Sequence, residues 1–266
     1  MKPVVTKEHG SWAVLFIPVL TGIAVSRNYG LPVFLFIASV FFLFMSYTPA
    51  EMMLLSYYRR LPHSDRLKTA RYWFTVYISL SLLSGIPLIA VYHKYGLLFF
   101  AAAALAFFIS SLYIMFSLRK NVWSDFLAMA GLTLSAPAAV YLAENAFTSR
   151  SLLLYFLNLL FFGSSAFYVH MKMKLSSLKK SKLTFHEKLT VGKLNLLYNA
   201  VAIFLLLAFT ASFPHKFLIM MAYLPMLIHA ITGTFKLPEK VSYKKIGMTF
   251  LAYSVVFLLM ISLSGM

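Results

Sequence analysis

A single carboxylate interrupts the second long apolar run of the sequence. Glu51 stands in TPAEMMLL, with apolar residues on both sides. An ionisable side chain in such surroundings costs a few kcal/mol unless it is paired or lines a wet cavity, so it indicates a functional site. The alternative is a structural ion pair with a neighbouring Lys or Arg. We predict Glu51 as a catalytic residue, and the ion pair stays open as the second interpretation.

A second carboxylate and an imidazole stand directly before the first apolar run. Glu8 and His9 lie in KEHGSWAVLF, beside Gly10. A glycine lets backbone approach a ligand closely, so this group predicts a second catalytic contribution, from Glu8 and His9. Alternatively, Glu8 favours the N-terminal end of a helix through the helix dipole, and His9 is an interfacial residue.

Basic residues follow the second and sixth apolar runs. His170 and Lys174 in AFYVHMKMK are four residues apart and share a helical face. Together with Lys172 they predict a binding site for a phosphate or carboxylate, and Arg59 and Arg60 are expected to contribute to it. The alternative for all five is contact with lipid headgroups, with the longer side chains snorkelling to the interface.

Two polar residues lie at the start of the fifth apolar run, Asn121 just before it and Asp125 within it. We predict Asp125 and Asn121, in NVWSDFLAMAG, as further substrate-binding residues. Asp125 in the first turn of a helix, capped by Asn121 or Ser124, is the structural alternative. The amides within the apolar runs are expected to form interhelical hydrogen bonds: Asn158, Asn195 and Asn199.

The composition places these residues in a membrane protein. Hydrophobic residues make up 61% of the 266 and charged residues only 12%, whereas soluble domains are about half apolar and a quarter charged. The absence of cysteine excludes disulfides and thiolate chemistry. The net charge of +17 is explained by topology and contact with membrane lipids; nucleic acid is not expected as a partner, because no soluble module is long enough to bind it.

Nine apolar runs are each close to the length that spans a bilayer. They cover 10–26, 31–57, 72–92, 96–118, 123–142, 150–171, 194–212, 215–235 and 246–264. With the N-terminus in the cytoplasm, twenty of the 24 basic residues fall on inner segments, and the outer ones are Arg27, Lys94, Arg150 and Lys216. This bias predicts a cytoplasmic N-terminus and an outer C-terminus. The second run is long, and we expect its inner end either to kink at Pro49 or to leave the membrane.

Other familiar signals are absent from the sequence. It contains no P-loop, no Rossmann fingerprint and no G-x-S-x-G motif. The histidines lack the spacing of a zincin helix, and we expect no protein-built metal site.

The N-terminal stretch KEHGSWAVLFIPVLTG resembles the signature of the YwiC-like membrane proteins. The residues that match are His9, Gly10, Trp12, Ala13 and Pro18. The resemblance implies a multi-pass integral membrane protein without an established activity.

A more distant resemblance covers most of the chain. Nine helices with long inner loops after helices 2 and 6, and the stretch AGLTLSAPAAVYLA, resemble the UbiA-type intramembrane prenyltransferases. That likeness implies a prenyl diphosphate held through Mg²⁺ by two Asp-rich motifs. When Glu51 is set on the first Asp, Leu54 and Tyr58 take the other positions, and lysines replace the second motif. Mg²⁺ therefore lacks its ligands, and the cofactor stays unknown.

The sequence thus predicts an all-α polytopic membrane protein with nine transmembrane helices in a UbiA-like bundle, formed by one domain over 1–266. We expect a cell-membrane protein that binds an isoprenoid or other anionic lipid in a cytoplasm-facing cavity and acts as a divergent transferase if it is an enzyme. A solute or proton-coupled transporter and a non-catalytic accessory protein are the alternatives. We further expect Glu8, His9, Glu51 and His170 to converge on that cavity.

Overall fold

The computed structural model describes residues 2–5, 9–27, 29–58, 65–118, 121–178, 184–211, 213, 215–236 and 242–265. Eleven helices and no strand occur within these ranges. They are α1 (His9–Ser26), α2 (Leu31–Met45), α3 (Tyr47–Tyr58), α4 (Asp65–Ala90), α5 (Gly96–Leu118), α6 (Val122–Thr133), α7 (Ser135–Glu144), α8 (Ser149–Ser177), α9 (Phe185–Thr210), α10 (Lys216–Phe235) and α11 (Tyr243–Leu263). The all-α prediction is confirmed.

Two of the apolar runs are each divided into two helices by a proline. α2 ends at Met45, four residues before Pro49, and α6 ends at Thr133, four residues before Pro137. Proline has no N–H for the carbonyl four residues earlier, and its ring clashes with that carbonyl, so the regular helix stops there. The irregularity expected near Pro49 is therefore present as a helix break at Ser46, and a second break occurs at Leu134, before Pro137.

Eight helical segments of the described chain are long and apolar enough to cross a membrane. They include the continuous segments Leu31–Tyr58 and Val122–Glu144, whereas Gly10–Ser26 is apolar but shorter. The count of nine spans therefore stays a prediction, as do the sides on which the two termini lie.

Several helices continue beyond the apolar runs that predicted them. α4 begins at Asp65 rather than 72, α8 extends to Ser177 rather than 171, and α9 begins at Phe185 rather than 194. A capping box starts α9: the Thr184 hydroxyl accepts from the Glu187 N–H, and the Glu187 carboxylate accepts from the Thr184 N–H. Parts of the expected inner loops are therefore helical, because hydropathy detects the apolar core and not the capped end.

The centre of the bundle is formed by α1 and α8. α1 packs against α7 and α11, and α8 packs against α6, α7, α9 and α10. The contact of α1 with α7 is close, because a Cβ at Gly22 would meet the Ala136 carbonyl and lie 2.7 Å from the Ala139 Cβ. α2 and α3 pack against α4, and α5 packs against α6.

The buried amides connect neighbouring helices, as predicted. The Asn158 side chain donates to the Thr21 hydroxyl at 3.2 Å and joins α8 to α1. Ser164 donates to the Asn199 amide oxygen at 2.6 Å, and Asn195 donates to the Ala230 carbonyl at 3.0 Å. Each amide thereby avoids the cost of an unpaired polar group in an apolar interior.

Candidate functional site

A cavity of about 2910 Å³ lies between α4 and α5 and is backed by α1, α3, α6 and α8. One face of α4 forms a wall, with residues at a spacing of four: Phe74, Ile78, Leu82 and Ile86. One face of α5 forms another: Ala101, Ala104, Leu105, Phe108 and Met115. Spacings of three and four place these residues on a single helical stripe. Pockets for drug-sized ligands measure roughly 300–1,000 Å³, so this cavity has room for a much larger apolar molecule.

Charged residues of the lining gather at one end of the bundle. At this end, which we call the basic end, α1, α4, α6, α9 and α11 begin and α3, α5, α8 and α10 end. Among the described residues, four basic and two acidic side chains line the cavity: Lys2, Arg66, Arg71, Lys244, Glu51 and Asp125. The basic residues are exposed, and the two carboxylates are half-buried. The basic end therefore combines access from solvent with an excess of positive charge.

The opposite end of the cavity is closed by apolar packing. Leu88, Leu97, Phe36 and Phe100 line the cavity and also belong to a buried hydrophobic cluster with Val33, Tyr141 and Leu142. The Tyr141 hydroxyl accepts from the Gly96 N–H at 2.9 Å and fixes the start of α5 against α7. The cavity is thus amphipathic, with an apolar floor and a charged mouth.

The N-terminal residues reach into the same space. Lys2, Pro3, Val4 and Val5 line the cavity, and the Tyr77 hydroxyl of α4 donates to the Val4 carbonyl at 3.4 Å. Tyr77 is on α4, the helix that forms one wall. The N-terminal segment therefore contacts this wall within the cavity.

Two residues expected from the sequence line this cavity. Glu51 on α3 and Asp125 on α6 both do so. Asn121 does not belong to the lining: its side-chain oxygen accepts from the N–H groups of Trp123 and Ser124 and caps α6. Glu8, Arg59 and Arg60 lie outside the described residues, and His9 begins α1 with its side chain outside the description.

The expected basic site on α8 has a different arrangement. Val169 and Met173 of α8 face the cavity, whereas His170, Lys172 and Lys174 are not among its described lining residues. Lys172 is 2% exposed, and its ammonium donates to the Gly233 carbonyl at 2.6 Å and to the Lys236 carbonyl at 3.4 Å. Its charge therefore faces the C-terminal end of α10, where a helix dipole favours a cation.

The sequence alone does not single out the basic lining residues. Arg66, Arg71 and Lys244 are three of the twenty basic residues that the inner segments carry. The available signal was weak: Arg71 lies one turn before Phe74 on the stripe that forms the α4 wall. Recognising it required knowing which face of α4 is turned to the cavity.

A metal centre has no support in the described ranges. No group of three or more His, Asp or Glu side chains there is arranged to hold a metal ion. Glu51 and Asp125 are the carboxylates that the described lining offers.

The family model for YwiC-like proteins matches residues 5–140, which is just over half of the chain. The protein belongs to the YwiC-like family. Neither a curated protein nor a solved structure matches it. With its long apolar helices, this YwiC-like protein is a multi-pass integral membrane protein.

The matched region contains most of the cavity. It runs from the N-terminal segment through α6 and into α7, and includes the α4 wall, the α5 wall, Glu51 and Asp125. The family match thus covers the helices that form both walls, whereas α8 to α11 lie beyond it.

Proposed function

We propose that this YwiC-like protein binds an anionic lipid, with the apolar tail between α4 and α5 and the phosphate or diphosphate head at the basic end. The observation that carries the proposal is the amphipathic cavity: apolar walls, an apolar floor and four basic side chains at the mouth. Isoprenoid and acyl lipids with phosphate heads share the required chemistry.

The charges at the mouth favour an anionic head. Arg66, Arg71 and Lys244 extend from two helices, α4 and α11, toward the same opening. Arginine presents a planar fork of N–H donors that matches phosphate oxygens, and lysine adds a compact charge. The mouth is expected to lie on the cytoplasmic side, because the inner segments carry most of the basic residues.

The closed floor favours binding over transport. A transporter needs a path to both faces of the membrane, whereas here the end opposite the mouth is packed by Leu88, Leu97 and Phe100. A transfer reaction on the bound lipid, implied by the likeness to intramembrane prenyltransferases, stays a prediction, with Glu51 as its expected catalytic carboxylate.

The test is retention of a long-chain polyprenyl phosphate by the purified protein in detergent, with Mg²⁺ and with chelator. Phosphatidylglycerol is the acyl-lipid arm, and the matching polyprenol without phosphate reports what the head contributes. We expect the phosphate form to bind about tenfold more tightly than the alcohol, since each charged hydrogen bond is worth ~1.5–3 kcal/mol before solvent screening.

Matched variants test whether the phosphate head of the lipid binds at the basic end. Arg71→Gln with Lys244→Gln is expected to abolish most of the preference for phosphate. Lys68→Gln with Lys245→Gln removes the same charge from exposed residues of the same two helices that do not line the cavity. Equal loss in both pairs would mean general surface attraction, and equal retention of phosphate and alcohol would refute an anion site.

A further inference from the structure

We infer that the lipid tail enters the cavity sideways from the bilayer, through a cleft between α4 and α5. This inference rests on the proposed lipid binding and specifies its route. The alternative route is through the mouth at the basic end, which would require the tail to pass through water.

The two helices that border the cleft each pack against other helices of the bundle. α4 is held by α2 and α3, and α5 is held by α6 and α7. A short segment after Ala90 joins the two helices at the floor of the cavity. Between the floor and the mouth, their apolar stripes face the cavity. Four residues that line the cavity from these two helices are each more than half exposed: Leu82 and Ile86 on α4, and Leu98 and Leu105 on α5.

The exposed walls lie at membrane depth. Leu82 and Ile86 belong to the span Asp65–Ala90, and Leu98 and Leu105 belong to the span Gly96–Met115. Large aliphatic side chains in contact with water would cost about 25 cal/mol per Å² of apolar surface, and contact with lipid tails removes this cost. The surroundings of both helices therefore favour a hydrocarbon occupant.

The polar groups of the walls are already bonded within the protein. The Ser81 hydroxyl donates to the Ser39 carbonyl at 2.9 Å, and the Ser111 hydroxyl donates to the Ser124 carbonyl at 2.7 Å. The described walls thus present methyl, methylene and aromatic groups to the occupant. A polar solute would lose its hydration there without gaining partners.

The length of the cleft matches a lipid tail attached to a head at the mouth. Arg71 and Ile86 both line the cavity and are separated by fifteen residues of α4, which is about 22 Å along a helix. The hydrocarbon core is about 30 Å thick, so a chain anchored at Arg71 extends through most of it. The head and tail subsites therefore lie on one continuous helix face.

The chain contains no cysteine, so one introduced thiol can be labelled at a single position. We would attach bimane to Leu82→Cys and Leu105→Cys in the cleft. Leu83→Cys and Ile109→Cys are the matched controls, since both residues are exposed on the same helices but do not line the cavity. Each protein is reconstituted into phosphatidylcholine vesicles, which lack the anionic head of the proposed ligand, and quenched with a doxyl-labelled phospholipid or with aqueous iodide.

We expect the doxyl lipid to quench all four labels and iodide to quench none. Loading with polyprenyl phosphate should lower doxyl quenching at Leu82 and Leu105 by about half or more, as the ligand displaces bilayer chains, and leave Leu83 and Ile109 unchanged. Iodide quenching at Leu82 and Leu105 would show a water-filled cleft and overturn the inference. Quenching by neither agent would show a closed cleft or one covered by a protein partner, and would overturn it too.

A plugged variant tests the route of entry. Leu82→Trp with Leu105→Trp narrows the cleft and part of the tail site and leaves the head site unchanged. It is expected to slow uptake of polyprenyl phosphate from vesicles by about tenfold. If wild-type protein retains the lipid and the plugged variant takes it up at the same rate, the route is wrong and the proposed function stands. If the lipid is not retained but doxyl still quenches Leu82 and Leu105, the cleft is open to the bilayer and the proposed function fails.

Discussion

The ammonium of Lys172 on α8 donates a hydrogen bond to the carbonyl oxygen of Gly233 on α10 at 2.6 Å. A second carbonyl, that of Lys236, lies 3.4 Å away, and the Tyr168 ring lies 5.1 Å from the charge. The last carbonyls of a helix have no partners within it, and a cation there also meets the negative end of the dipole. Lys172 thus caps α10 and joins it to α8.

Loss of this cap should destabilise the protein. Lys172→Met keeps the length of the side chain but removes the charge and its donors, so the Gly233 carbonyl loses its partner. We expect the free energy of unfolding to fall by about 1–3 kcal/mol. Thermal unfolding in detergent measures the change. Lys174→Met is the control, because Lys174 is exposed on the same helix. Equal unfolding temperatures for the two variants would contradict the capping role.

The close contact between α1 and α7 depends on a missing side chain. A Cβ at Gly22 would meet the Ala136 carbonyl and lie 2.7 Å from the Ala139 Cβ. Gly22→Ala is therefore expected to separate the helices and cost about 1–3 kcal/mol, as overpacking usually does. Gly10→Ala, also on α1, is the control, because a Cβ there meets nothing within 4 Å among the described residues. It should be neutral in the same unfolding assay; a neutral Gly22→Ala would show that α1 and α7 can move apart freely.

The sequence predicted most of the helices because their causes are local. Apolar runs gave the spans, and Pro49 gave the break that ends α2 at Met45. Pro137 has the same effect on α6, although the small residues around it continue the apolar run and give no sign of the break. The capped start of α9 at Thr184 lies outside the apolar run, so hydropathy does not predict it.

The Tyr77 hydroxyl holds the N-terminal segment in the cavity through the Val4 carbonyl. Tyr77→Phe removes this donor. The equilibrium between the solvent-exposed and the cavity-bound segment should then shift toward the exposed form by about two- to tenfold, which corresponds to one hydrogen bond of ~0.5–1.5 kcal/mol. The measurement is the rate at which Val5→Cys reacts with a water-soluble maleimide in the presence and absence of Tyr77→Phe.

Tyr72→Phe is the control for that experiment, since Tyr72 is exposed on α4 and does not line the cavity. An unchanged rate in Tyr77→Phe would mean that the apolar contacts of the segment, rather than the hydrogen bond, hold it in place.

The candidate site was predictable only in part, and the reason is tertiary. Glu51 is conspicuous because it is a charge among apolar residues, and it does line the cavity. Arg71 and Lys244 stand near helix starts, where basic residues are ordinary, and their common location follows from the packing of α4 and α11. Conversely, Lys172 and Lys174 share a basic stretch, but one caps α10 and the other faces outward. Sequence spacing shows which residues share a face of a helix, but it does not show which other helix packs against that face.

Neutralising the two carboxylates of the mouth tests whether the site only attracts an anion or whether the carboxylates themselves contact the ligand. Glu51 and Asp125 place negative charge beside Lys2, Arg66, Arg71 and Lys244. Glu51→Gln and Asp125→Asn each remove one charge that repels a phosphate head. At an effective dielectric constant of about 20, we expect each change to tighten binding of polyprenyl phosphate about two- to fivefold.

Asp65→Asn is the control, because it removes the same charge at the same end of the bundle. Asp65 is exposed, pairs with Lys68 at 3.5 Å and does not line the cavity. Weaker binding in Glu51→Gln and Asp125→Asn would contradict a purely anionic head site and indicate that the carboxylates contact the ligand through a cation or a donated proton.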